Sequence, residues 1–200
     1  DPLYDDGGHK LPGAMIRENE TLPEAAARVL EASTGLKDIY LKQTSIFSDP
    51  DRVDQSELQW ICQYHGIKTD RVVTVGYYAL VKLDPGMVSY TKRQGAVWMN
   101  VDDIHHLIMD HMDILSDALT VLQKDILWSP IAFNLLPKKF TMTQLRNLHD
   151  TIYQKKSDVR NFQKRMMQLE GISALAETEV GVPHRAARYF TYTKRKNKND

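Results

Sequence analysis

Apolar residues fall at helical spacing in the stretch between Thr21 and Gly35, where Ala26, Val29 and Leu30 form one stripe. Thr21 followed three residues later by Glu24 is a capping box. Pro23 lies in the first turn, where its missing N–H costs little, and Gly35 is a stop signal. The pattern then changes to a strand over 39–41 and 44–47, with Ser48-Asp49-Pro50-Asp51 as a turn. Residues 57–65 predict a short helix ended by Gly66. Residues 71–83, RVVTVGYYALVKL, carry the strongest strand signal, and their length suits a central strand buried on both faces. Asp84-Pro85-Gly86 reads as a turn, and 96–100 as another strand. Residues 104–124 predict a helix whose apolar face is Leu107, Ile108, Ile114, Leu115, Ala118, Leu119 and Leu122.

An apolar joint at 128–136 follows, interrupted by Pro130 and Pro137. Its hydrophobicity predicts that the parts on either side pack together. Thr141 and Gln144 then form a second capping box, and Leu145, Leu148 and Ile152 predict a helix of about 12 residues. Ser157 or Asp158 caps another helix, 159–169, which Gly171 stops. Val159, Phe162, Met166 and Leu169 form its buried stripe. Arg160, Asn161, Gln163, Lys164 and Gln168 take the opposite side, with Arg165 at its edge. Strand-like runs at 172–180 and 188–193 flank a basic tip containing His184 and Arg185. Two helices joined by a short turn make a helix-turn-helix, and the added hairpin makes it a winged helix. Arg, Asn, Gln and Lys are the residues that read base edges and hold phosphates. The DNA-binding candidates are therefore Arg160, Asn161, Gln163, Lys164, Arg165, His184, Arg185 and Arg188. A polar helix face can also be simply solvated, and winged helices also serve as protein-interaction modules.

Charge sharpens this division. The net charge of the 200 residues is zero, yet residues 137–200 hold 14 Lys+Arg against 6 Asp+Glu. The rest holds 12 against 20. A basic third joined to an acidic remainder points to an anionic polymer as partner of the smaller part. The expected domains are 1–127 and 128–200. A 42% hydrophobic content suffices for a core. No apolar run approaches the roughly 18–20 residues that span a membrane, and no signal-peptide pattern is present. The single cysteine, Cys62, permits no intrachain disulfide and suggests a cytoplasmic protein. His105, His106 and His111 lie near Asp102, Asp103, Asp110 and Asp113, but their spacing does not place three metal ligands on one helical face. Carboxylates at a helix start also have the simpler role of opposing the dipole.

Residues 11–36, LPGAMIRENETLPEAAARVLEASTGL, resemble the Nudix box, which holds a divalent metal against a diphosphate. Ala14 takes the Gly position, Glu20 the first Glu and Arg28 the Arg, and Gly35-Leu36 close the motif. Val29, Ala32 and Ser33 stand where three glutamates belong. Hard cations need oxygen ligands, and Glu31 is one residue off, about 100° around the helix. The box thus looks like a scaffold whose catalysis was lost. Together with RVVTVGYYAL at 71–80, MDHMDILSDAL at 109–119, FNLLPKKFTMTQLRNLHDTIY at 133–153, DVRNFQKRMMQL at 158–169 and HRAARYFTY at 184–192, it resembles the Nudix-related transcriptional regulators.

The resemblance implies an α+β chain, a Nudix-type α/β/α sandwich with a mixed sheet followed by a winged helix-turn-helix domain. Two strands that precede the Gly-containing loop in a Nudix fold have no counterpart before Leu11, so they are expected to lie outside the sequence. It implies a homodimeric, non-enzymatic regulator, a repressor, that binds a double-stranded DNA operator and senses ADP-ribose or a sugar such as arabinose. Arg17, Glu20, Arg28 and Arg71 would adjoin the effector, with Arg28 also suited to holding its loop through a carboxylate. No cofactor and no membrane partner is implied. The alternative is an active Nudix hydrolase with an appended winged helix, using Glu20 as a metal ligand.

Overall fold

Helices begin where the capping signals stand. The computed structural model describes residues 8–126, 133, 135–183 and 185–193, and places them in two compact units, Asp1–Val121 and Leu122–Asp200. In the first unit, helix α1 spans Leu22–Thr34. Thr21 and Glu24 close the capping box, and Gly35 ends the helix at φ 75°, a conformation that costs glycine little. The stripe differs from expectation, since small residues are buried deepest. Ala25 and Thr34 are buried while Val29 and Leu30 are half-buried.

Strand β1 (Leu41–Phe47) pairs antiparallel with β2 (Thr74–Ala79), Leu41 opposite Ala79, with an irregularity between Gln43 and Ile46. Helix α2 (Gln55–His65) lies between them in sequence, two residues longer at its start than expected because Asp54, with Glu57, caps it. Two strand expectations need correction. The run at 71–83 yields only six strand residues, and β2 pairs with β1 alone among the described residues. Residues 96–100 form no ladder.

The supposed turn at Asp84-Pro85-Gly86 is the start of helix α3, Pro85–Arg93. The Asp84 carboxylate accepts from the Met87 N–H at 3.0 Å, and Pro85 occupies the first turn. Met87 and Thr91, four residues apart, are its buried members. Helix α4 runs His111–Ile126 rather than starting at 104. The chain before it makes one 3-10 turn, Val101–Asp103, and then an irregular stretch that turns at Met109, whose φ is 54°. None of the helices among the described residues is long and apolar enough to cross a membrane.

In the second unit, β3 (Phe140–Thr141) leads into α5 (Met142–Tyr153) through the expected Thr141–Gln144 capping box. Helix α6 (Val159–Met166) is capped by Asp158 and ends three residues earlier than expected. Strands β4 (Ile172–Thr178) and β5 (Arg188–Tyr192) form the hairpin, and the sheet order is β3-β5-β4, antiparallel throughout. Phe140, Leu145, Phe162, Met166 and Phe190 make the core, with Leu169 and Ile172 packed on it. Val159 is 55% exposed and does not join the stripe, because it opens the helix beyond the edge of that core.

Gly171, between α6 and β4, has φ 92°, and a Cβ there would stand 2.7 Å from the Thr193 carbonyl oxygen. Gly171→Ala should therefore cost about 1–3 kcal/mol, read as a lower urea midpoint. An unchanged midpoint would mean that the turn has another conformation.

Candidate nucleic-acid interface and effector frame

The Asp158 carboxylate accepts from the Asn161 N–H at 2.9 Å and fixes where α6 starts. Phe162 and Met166 then point into the core, so the remaining positions must face outward. Arg160, Asn161, Gln163, Lys164 and Arg165 are all exposed. The predicted polar face exists as a surface presented to solvent.

The hairpin is closed next to its connecting loop by two bonds. The Glu179 N–H donates to the Ala187 carbonyl at 2.9 Å, and the Ala187 N–H donates to the Glu179 carboxylate at 3.1 Å. Arg185 is exposed in the loop beyond them, and Arg188 is exposed at the first residue of β5, opposite Thr178. His184 lies outside the described residues. At its base, the wing is tied to a strand that the sequence pattern does not reveal, β3. Phe140 pairs with Phe190, and Thr191 Oγ1 donates to the Lys138 carbonyl at 3.2 Å. A two-residue strand has no periodicity to detect.

In the first unit, Arg28 and Glu20 face each other. Arg28 Nε donates to Glu20 Oε2 at 2.9 Å, and its Nη2 donates to Glu20 Oε1 and to the Met15 carbonyl at 3.1 Å. The Arg17 backbone N–H donates to Glu20 Oε1 at 2.8 Å. The Arg28 guanidinium holds the Glu20 carboxyl well below its usual pKa, at about 2, against partial burial and with help from the Arg17 N–H. Arg28 thus clamps the loop before α1 to the helix. The Arg17 side chain is exposed.

Arg71 stands elsewhere. It donates to the Ser48 carbonyl, and Ser48 lines an open cleft of about 540 Å³ together with Ile46, Phe47, Asp49, Asp51, Arg52, Asp110 and Asp113. The structure brings three of the four effector candidates together and leaves Arg71 at the other place. The ion pair at this cleft has no signature in the sequence. Arg52 donates bidentately to Asp110, Nε to Oδ2 and Nη2 to Oδ1, both at 2.7 Å.

The metal of a Nudix box does not fit these residues. Glu20 already carries Arg28, and the Ser33 hydroxyl is turned back onto the Val29 carbonyl of its own helix. Val29 and Ala32 carry no donor, and the described residues contain no group of three or more His, Cys, Asp or Glu placed to hold an ion.

Residues 132–192 match the family described as the NrtR DNA-binding winged helix domain. The C-terminal unit is a winged helix of the NrtR type. The fold of the whole chain, an α+β body followed by that winged helix, is similar to solved structures of NrtR and of a MutT/nudix family protein. It is 22% identical over 183 residues to the ADPR responsive transcriptional repressor NtrR of Acinetobacter baylyi, covering 90% of this chain and 68% of the relative. Shewanella oneidensis NrtR in complex with a 27mer DNA has a similar fold, with TM-score 0.63 and 21% identity over 92% of this chain and 79% of that one. A MutT/nudix family protein from Enterococcus faecalis also shares the fold, with TM-score 0.58 and 20% identity over 92% and 73%.

Proposed function

We propose that the chain is a DNA-binding transcriptional regulator, a repressor, whose first unit senses a small molecule without hydrolysing it. The observation that carries this is α6, a capped helix with a basic and amide-bearing face exposed in a winged helix of the NrtR type. The helix enters the major groove, and Arg185 and Arg188 of the wing meet the backbone. Two copies read a palindrome whose half-sites lie about one helical turn or a multiple apart. The functional boundary lies at 127/128, and the protein acts on its DNA partner in the cytoplasm.

The effector is ADP-ribose, by analogy with the Acinetobacter relative, whose name calls it ADPR responsive; a free sugar such as arabinose is the competing choice. The effector shifts the dimer between DNA-compatible and incompatible geometries, with leverage equal to its differential affinity for the two. Glu20 and Arg28 shape the loop that frames it, and Arg17 supplies an exposed cation. The lost carboxylates of the box favour binding over hydrolysis.

An operator recovered from random duplexes by selection with the wild-type protein provides the test. Arg160→Ala and Lys164→Ala should each weaken binding to it by about 1–3 kcal/mol where a base contact is lost. Affinity should also fall steeply with salt. Variants that bind the operator as well as wild type would rule out this placement of α6, and salt-insensitive binding would rule out phosphate neutralisation. A thermal-shift screen of ADP-ribose, NAD and pentoses should show a shift with ADP-ribose. Release of the operator by arabinose alone would replace ADP-ribose with the sugar. Turnover of ADP-ribose with Mg²⁺, abolished by Glu20→Gln, would overturn the sensor reading in favour of a hydrolase.

A further inference from the structure

Arg165 reaches the recognition face from the last turn of α6, and its guanidinium does not stand alone. Its Nη2 lies 3.1 Å from Nε2 of His149 on α5. A guanidinium has five donors and no acceptor. The imidazole nitrogen that faces it must therefore be the acceptor, which puts the ring in the neutral form with its proton on Nδ1. That nitrogen faces Ser157 Oγ at 3.3 Å and Asp150 Oδ1 at 3.7 Å. Asp150 is itself held by the Ser157 N–H at 3.0 Å, with Arg146 Nε at 4.0 Å.

The ring is fixed on its faces as well. It stacks on Tyr153 with centroids 4.3 Å apart and meets Phe162 edge-on at 5.1 Å. His149 is largely covered, its side chain 16% exposed, whereas Arg165 is exposed. The arrangement is an acceptor anchored in the protein holding a cation at its surface. The groups facing the imidazole are Arg165 from α6, Ser157 from the connecting turn, and Asp150 and Tyr153 from α5, with Arg146 behind Asp150.

Resting on the DNA-binding reading above, we propose that His149 is a positioning residue for Arg165: its unprotonated Nε2 holds the guanidinium in the orientation used on operator DNA, and protonation releases it. A long side chain fixed before the DNA arrives loses less rotamer freedom on binding. Protonation replaces the Nε2 lone pair with an N–H aimed at the guanidinium, so attraction becomes repulsion between two cations. Burial, and then the Arg165 charge, push the imidazole pKa below its ordinary value of 6.5, with Asp150 acting against them. The neutral clamp is therefore the form present at neutral pH, and it is lost as pH falls through that lowered value.

Two measurements test this. In DNA-free protein, ¹⁵N NMR should find His149 protonated on Nδ1, and Arg165→Ala should raise its titration midpoint. An unchanged midpoint in Arg165→Ala overturns the clamp. The second measurement is the ratio of affinity for the selected operator to that for a random duplex, from pH 8 to pH 5.5. Wild type should lose several-fold of this ratio at the acid end. His149→Gln, whose amide oxygen reaches near the Nε2 position and does not titrate, should keep the ratio across the range. His149→Phe keeps a ring against Tyr153 and Phe162 without an acceptor, and should show a low ratio at every pH. Far-UV circular dichroism checks that each variant is folded. Identical profiles for folded wild type, Gln and Phe variants overturn the proposal. Failure of wild type to discriminate any duplex overturns the DNA reading itself, and the proposal with it. The NMR titration separates that failure from a failure of the His149 clamp.

Discussion

Phe140→Ala is expected to destabilise the winged helix unit by several kcal/mol and to weaken operator binding with it. Phe140 is 1% exposed, the most deeply buried large side chain among the described residues. It reaches the core from β3, where its backbone pairs with Phe190 of β5. Its ring belongs to the cluster of Leu145 from α5, Phe162 and Met166 from α6, and Phe190, and lies 5.8 Å from the ring of Phe133. Each element that builds the DNA-facing surface thus sends a side chain to this core. Removing a buried phenylalanine costs about 3–5 kcal/mol, because the walls relax only partly into the space. A unit of this size holds only about 4–12 kcal/mol of net stability, so the loss removes between about a quarter and all of it. Hydrogen exchange of the α5, α6, β4 and β5 amides should accelerate together, since they share one core. Phe140→Leu, which keeps most of the volume, should lose much less. A drop of under about 1 kcal/mol for Phe140→Ala would mean that the wing is held by its hydrogen bonds and not by this core.

Local signals carried most of the second unit and part of the first. Capping is a matter of three or four adjacent residues, so Thr21 with Glu24 and Thr141 with Gln144 fixed two helix starts to the residue. Gly35, Gly66 and Gly171 marked their stops or turns, each with positive φ. The failures came where the deciding partner is remote. The run at 71–83 has strand residues throughout, but ladder length is set by what pairs with it, and β1 offers only Leu41–Phe47. Asp84-Pro85-Gly86 satisfies a turn and a helix start equally. What decides for the helix is burial of Met87 and Thr91 on one face, and the hydrogen bond from Trp98 Nε1 to Thr91 Oγ1 at 3.0 Å. Val159 was spaced for a buried stripe, yet spacing does not reveal that the core stops short of it. The candidate site divides in the same way. The polar face of α6 follows from its own periodicity, and the Glu20–Arg28 clamp from one motif. The contacts from Arg165 to His149 and from Arg52 to Asp110 join residues 16 and 58 positions apart, beyond any local pattern.

The Arg52–Asp110 pair carries the other large effect. Asp110→Ala should destabilise the protein by about 3–5 kcal/mol, the range found when one member of a buried pair is removed. The two side chains are 6% and 12% exposed. Their two 2.7 Å bonds share the planar fork geometry that makes arginine–carboxylate pairs strong. The pair ties the segment before α2 to the residue before α4, and the Asp110 carbonyl also accepts from the Ile114 N–H at 3.2 Å. Truncating Asp110 strands a guanidinium left with the Val72 carbonyl, at 3.4 Å, as its other partner among the described residues. The penalty is that of an uncompensated buried cation, and it exceeds the net worth of the pair. Replacing both residues distinguishes the two quantities. Arg52→Leu with Asp110→Leu removes both charges and should cost less than Asp110→Ala alone, whereas independent contributions would make the double replacement the costlier one. Urea titration of the two single leucine variants, the double variant and Asp110→Ala measures this. Losses that simply add, or an Asp110→Ala loss below about 1 kcal/mol, would show that water reaches the guanidinium and that the pair behaves as a surface salt bridge.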